Sequence, residues 1–173
     1  MEDSILDILR EMSKLPAAAK AWRPPVADAF ADTKFFNMPA QFTEKWRPLI
    51  RALMDSDKAA FAELVGKISS TPSANIFTNR EYEMAACAAN FRRLTYVLYA
   101  GDRNTFLAQL PSVEEKVVDI VKNVTAPVVL REVYLCMRVL LCRLSAHTLT
   151  SCWPVLVTEM VRSSSGRGTC GRR

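Results

Sequence analysis

The sequence predicts an all-α fold, an irregular HEAT/armadillo-like stack of antiparallel helix hairpins. Half of the 173 residues are hydrophobic, only five are glycine, and no stretch alternates apolar with polar residues for long, which argues against a sandwich or barrel. Apolar residues recur instead at steps of three and four between short polar turns, the helical period. No repeat of fixed length emerges, so the stack is irregular. Length alone allows one core, giving a single domain over residues 1–162.

The elements follow in order. Ile5, Leu6, Ile8, Leu9, Met12 and Leu15 form one stripe opposite Asp7, Arg10, Glu11 and Lys14, an amphipathic helix stopped near Pro16. Pro24, Pro25 and Pro39 break the next stretch, so a short helix is expected after the proline pair and a loop before Thr43. Trp46, Leu49, Ile50, Leu53 and Met54 then keep helical spacing, with Pro48 beginning or bending that helix. Asp57 opens another through Phe61, Leu64, Val65 and Ile68.

A polar loop at 69–77 precedes the helix with the clearest ends. Thr78 and Glu81 match a capping box, and Gly101 stands where a left-handed C-terminal cap belongs. A short helix from Asp102 to Leu110 follows, then one opened by a Ser112/Glu115 capping box and running to Asn123. The next begins after Pro127 and reaches Leu144, and a last one runs from the Ala146 region through Trp153 and Pro154 to Arg162.

The formal charge is +5, but the tail 163–173, SSSGRGTCGRR, holds three arginines and no acid, leaving 20 basic against 18 acidic side chains in the body. That near neutrality excludes a general nucleic-acid binder, whose charge sits on the fold. The tail is expected to be disordered. Five cysteines, odd in number and without a Cys-x-x-Cys pair, read as reduced core residues. With no signal-peptide pattern and no apolar run near 18 residues, the expected compartment is cytoplasmic.

No chemistry of catalysis stands out. His147 is the one histidine, at a helix start; no His/Cys/Asp/Glu cluster has metal-ligand spacing; Gly66 and Gly101 are isolated. The reading is non-enzymatic, with no cofactor and no metal. What remains are cations beside apolar faces: Lys45, Arg47 and Arg51 around Trp46, then Arg80, Arg92, Arg93, Arg131, Arg138 and Arg143. Any of them can hold phosphate or snorkel from a packed helix. Arg138 and Arg143 sit in the most apolar helix and are assigned to structure, bonding carbonyls or carboxylates such as Glu132. The adjacent pair Arg92 and Arg93 is hard to neutralise, and with Lys45, Arg47 and Arg80 is taken as an anion-binding patch.

Three blocks carry a resemblance to a known family: Phe77-Thr-Asn-Arg-Glu81, Arg138-Val-Leu-Leu-Cys-Arg-Leu-Ser145, and Leu149-Thr-Ser-Cys-Trp-Pro154. Over roughly residues 40–162 the chain resembles the C-terminal region of the Dopey family, large cytosolic proteins of Golgi and endosome trafficking. The resemblance implies a scaffold that works with a large Arf-exchange-factor-like partner and an aminophospholipid flippase, and in animals with kinesin light chains. It also implies recognition of phosphatidylinositol 4-phosphate and self-association, leaving monomer and homodimer both open. The expected function is then a peripheral Golgi and endosomal domain whose lipid-binding residues are Arg92, Arg93, Lys45, Arg47 and Arg80. The alternative is a protein-docking module that binds a partner helix on faces around Trp46, Trp153 and Phe35-Phe36, without lipid.

Overall fold

The structure, a computed structural model, describes residues 2–70 and 79–144. Among the described residues there are seven α-helices and no strand: α1 (Glu2–Ser13), α2 (Ala19–Ala31), α3 (Ala40–Ser56), α4 (Lys58–Gly66), α5 (Arg80–Ala100), α6 (Arg103–Asn123) and α7 (Pro127–Leu144). Single 3-10 turns lie at Pro16–Ala18 and Phe35–Asn37. The fold is all-α, as the apolar spacing requires. The expected last helix at 146–162, His147, Trp153 and the tail fall outside the described residues.

The chain divides into two compact units: one of the residues up to Glu63 with Ala100–Asp102, the other of Leu64–Tyr99 with the residues from Arg103 on. In the first, α1, α2 and α3 pack on one another. Leu6 of α1, Trp22, Val26 and Phe30 of α2, and Leu49, Ile50 and Leu53 of α3 are buried together in its core. Phe35 closes that core edge-on to Phe30, Phe36 and Trp46, at centroid distances of 5.1, 5.0 and 5.3 Å, the geometry that aromatic quadrupoles favour. Arg23 donates from Nη2 to the Ser56 carbonyl at 3.1 Å and so caps the end of α3.

Proline placement departs from the sequence reading at several points, for one reason. The helix expected after Pro24-Pro25 is α2, which runs through the pair. The carbonyls these prolines orphan belong to Lys20 and Ala21, and all four residues are exposed, so water takes the lost bonds while Trp22, Val26 and Phe30 hold the other face. No loop separates Pro39 from Thr43: Pro39 is itself the N-cap of α3, with φ −56° and ψ 147°. Its carbonyl accepts the N–H groups of Phe42 and Thr43 at 3.0 and 3.3 Å. Pro48 lies inside α3.

In the second unit, the two helices expected on either side of Pro111 are the single helix α6. Ser112 is therefore no cap. Phe106, Val113, Val117 and Ile120 are buried in one continuous stripe across the proline, whereas Pro111 and Leu107, whose carbonyl loses its partner, are exposed. The stripe outweighs the missing bond. Gly101 is not the left-handed cap either, since no described glycine has positive φ; α5 passes through Gly101 and Asp102 directly into α6. At the start of α5, Asn79 provides the cap, its Oδ1 accepting the Glu81 N–H at 2.9 Å. Thr78 lies outside the described residues. Asp57 caps α4 in the same way, through the Ala59 N–H at 2.9 Å. Pro127 begins α7 as expected.

Because Pro111 costs α6 a backbone bond on a solvent-facing turn, Pro111→Ala is expected to stabilise the protein by about 1–3 kcal/mol. Urea unfolding of the two proteins checks this; an unchanged or lowered midpoint contradicts it.

Candidate functional site

Two assemblies of charge stand out, one in each unit. The first joins α5 to α7. Glu132 is 1% exposed in the midst of Val129, Val133, Cys136 and Met137, where a lone carboxylate would cost several kcal/mol. Arg92 meets it with a two-pronged guanidinium: Nε donates to Oε2 at 3.0 Å and Nη2 donates to Oε1. Arg131 adds Nε and Nη2 to Oε1 at 3.1 and 2.8 Å. Burial by itself would raise the Glu132 carboxyl, but the bonds from Arg92 and then Arg131 outweigh it and hold the carboxyl below its ordinary value.

Arg92 thus has the structural role that the sequence reading gave to Arg138 and Arg143. Of those two, Arg143 does fit: Nη1 donates to the Tyr99 carbonyl at 3.0 Å and its guanidinium lies 5.4 Å from the Phe106 ring centroid. Arg138 does not, being exposed on α7 with no ion pair or hydrogen bond among the described residues. Arg93 is half-buried and donates to Asn90 Oδ1 at 3.1 Å. Arg80 is exposed at the first residue of α5, 12 positions and about 18 Å along the helix from Arg92. Of the expected patch, Arg80, Arg92 and Arg93 belong to the second unit, Lys45 and Arg47 to the first.

Lys45 and Arg47 enter the second assembly, a cleft of about 470 Å³ between α1 and α3. Arg10 and Arg51 line it as well, with the carboxylates Asp7 and Glu44 among them. Helical spacing gathers them, since Glu44, Arg47 and Arg51 stand at i, i+3 and i+7 on one side of α3. Arg47 lies 3.8 Å from Glu44, and Arg51 lies 3.6 Å from Asp55 and 3.2 Å from Asp102. All of these side chains are more than a third exposed, so the pairs are weak and open to exchange with a stronger anion. Arg10 is the member the sequence reading did not group with Lys45, Arg47 and Arg51, because only packing brings α1 to α3; that reading groups Arg51 with them around Trp46 but leaves it out of the anion-binding patch.

An apolar groove of about 400 Å³ opens in the same unit, lined by Ile5, Leu9, Met38, Phe42 and Trp46. Burial pushes the Cys136 thiol up to about 11 and raises that of Cys87, while Cys142 is exposed. Among the described residues no group of three or more His, Cys, Asp or Glu could hold a metal ion, and no helix is long and apolar enough to cross a membrane.

Residues 1–165 match the family model described as DOP1 C-terminal. The chain belongs to the DOP1 C-terminal family. This is the family the sequence resembles, and the match takes in the first 39 residues as well. Among the relatives are Protein DOP1 homolog of Drosophila melanogaster, 34% identical over 158 residues, and Protein pad-1 of Caenorhabditis elegans, 32% identical over 160. Protein DOP1B of Mus musculus is 28% identical over 156 residues. The alignments cover 90%, 91% and 90% of this chain but only 6%, 7% and 6% of those proteins, so the chain spans less than a tenth of their length. No solved structure matches.

Replacing Glu132 by Ala removes the carboxylate that Arg92 and Arg131 share and is expected to cost about 1–3 kcal/mol of stability, because the guanidiniums left behind still reach water. Because the folded carboxyl lies below the unfolded value of 4.5, its contribution is complete above that pH and is lost as pH falls through the folded value. Urea midpoints measured across this acid range should fall more steeply for the native protein than for Glu132→Gln; parallel curves would remove Glu132 from this role.

Proposed function

We propose that this domain is a non-enzymatic scaffold element of membrane trafficking that attaches to Golgi and endosomal membranes by holding a phosphoinositide headgroup, phosphatidylinositol 4-phosphate first, in the α1/α3 cleft. The observation that carries it is the convergence of Arg10, Lys45, Arg47 and Arg51 on one cleft, where the pairs with Glu44, Asp55 and Asp102 are all solvent-exposed and open to exchange. A phosphate monoester carries up to two charges and offers three acceptor oxygens, which suits guanidinium forks and an ammonium set at one spot. Each cation near an anionic leaflet adds about 1 kcal/mol. Several of them recruit a body whose net charge outside the tail is small.

The reading keeps Lys45 and Arg47 from the expected lipid-binding set and adds Arg10 and Arg51. It leaves out Arg92, which Glu132 occupies, and places Arg80 and Arg93 outside the cleft. The attachment is modest for one copy and firm where a second membrane contact or a second copy raises the effective concentration. The Arf-exchange-factor-like protein, the flippase and the kinesin light chain implied by the family resemblance are proposed partners of the full-length protein, of which this domain is a small part.

Flotation with phosphatidylcholine vesicles, with and without phosphatidylinositol 4-phosphate, tests the reading. The double change Lys45→Glu with Arg47→Glu is expected to weaken binding by about 2 kcal/mol or more, some thirty-fold, with unchanged melting. Added salt should weaken the native protein too. Equal binding to vesicles without phosphorylated inositol, or indifference to the double change, defeats the proposal.

A further inference from the structure

We propose that Asp55 and Asp102, acting through Arg51, make the α1/α3 cleft selective for the charge of its ligand. It takes a phosphate monoester and passes over the singly charged phosphate diesters of ordinary anionic lipids. This selection rests on the reading of the cleft as a phosphate site and adds the residues that decide which phosphate enters. Arg51 is part of the cleft wall, whereas neither aspartate lines it. Asp55 stands one turn further along α3, its Oδ2 3.6 Å from Nε of Arg51. Asp102, between α5 and α6, accepts a hydrogen bond from Nη2 of Arg51 at 3.2 Å. Ala100–Asp102 belongs to the first unit, and Ala100 also lines the cleft. The Nε/Nη2 side of the guanidinium, one of the edges that can grip an oxyanion with two bonds, is thus divided between two carboxylates.

Exchange then depends on charge. Both pairs are exposed to water and weak, so a ligand can replace them, but only one that offers more than they do. A phosphate diester brings one negative charge, the same as either carboxylate, and gains little by displacing them. A monoester brings up to two charges and three acceptor oxygens at one point, and wins the guanidinium from both aspartates. Arg51 therefore joins Arg10, Lys45 and Arg47 around a monoester and stays with Asp55 and Asp102 when a diester approaches. The recognised chemistry is the monoester itself, whether it is borne on a lipid headgroup or free in solution.

The test compares phosphatidylcholine vesicles carrying phosphatidylinositol 4-phosphate with vesicles brought to the same surface charge by phosphatidylinositol. The intact chain should favour the first by roughly tenfold or more. Asp55→Asn with Asp102→Asn should narrow that preference about fivefold, mainly by raising binding to phosphatidylinositol, the gain expected from freeing Arg51 of two exposed pairs. Asparagine serves beside a helix start as well as aspartate does, and a melting curve checks that the fold is kept. Arg51→Gln should narrow the preference from the other side, by lowering binding to phosphatidylinositol 4-phosphate. Asp28→Asn with Asp32→Asn, which removes the same charge at exposed positions of α2 and its end, should leave the preference as it is. Calorimetry with inositol 4-phosphate separates the two sources of the monoester: binding at least roughly tenfold weaker than to the vesicles is expected, and equally tight binding would keep the selection while defeating the membrane reading. A preference that survives both the Asp55/Asp102 change and Arg51→Gln, or that the Asp28/Asp32 change narrows equally, overturns the selection and leaves the phosphate site standing. No preference in the native chain defeats both.

Discussion

The carboxylate of Glu132, sealed among valine, cysteine and methionine, sets the terms on which α5 and α7 can pack. A buried charge of this kind is tolerable only with its partners in place, and those partners reach it from two directions: Arg92 from α5, Arg131 from the adjacent position on α7. A slip of one residue between the helices would draw the guanidinium fork of Arg92 off the carboxylate. The apolar residues buried on the same two helices, Phe91, Leu94 and Leu98 on α5 and Val133, Cys136 and Leu140 on α7, supply hydrophobic energy but little directional information. Polar geometry fixes the register that greasy contact alone leaves loose. Arg143 reinforces it at the other end of the pair through the Tyr99 carbonyl.

The same competition between local chemistry and burial explains the path of the backbone. Pro24, Pro25 and Pro111 each remove a helical bond and each sits on the solvent side, where water replaces what is lost. The apolar stripes opposite, Trp22–Val26–Phe30 and Phe106–Val113–Val117–Ile120, remain in one register across the interruption. Breaking these helices would expose large side chains at roughly 1.5–3 kcal/mol apiece, comparable in sum to the cost of the proline.

The first unit sets two openings side by side along α1 and α3, a charged cleft with Asp7, Arg10, Arg47 and Arg51 and an apolar groove with Ile5, Leu9, Phe42 and Trp46, and Leu6 borders both. That division follows from the periodicity of one amphipathic helix, which turns Ile5 and Leu9 to one flank of Leu6 and Asp7 and Arg10 to the other.

By itself the sequence determined the all-α fold, the positions of α1, α5 and α7, the family, and the cations available to a binding site, because helical periodicity, caps and motifs are local properties of the chain. It determined less about helix continuity, since proline and capping signals are read residue by residue while the stripes that override them extend over several turns. Only tertiary structure decided which arginines meet a buried carboxylate and which stay at the surface. Arg92 and Arg138 look alike in sequence, yet packing gives one a buried carboxylate and leaves the other in water; Arg10 and Arg51 are distant in sequence, yet packing sets them around one cleft. Charge acts through distance and dielectric, and both are fixed only when the helices meet.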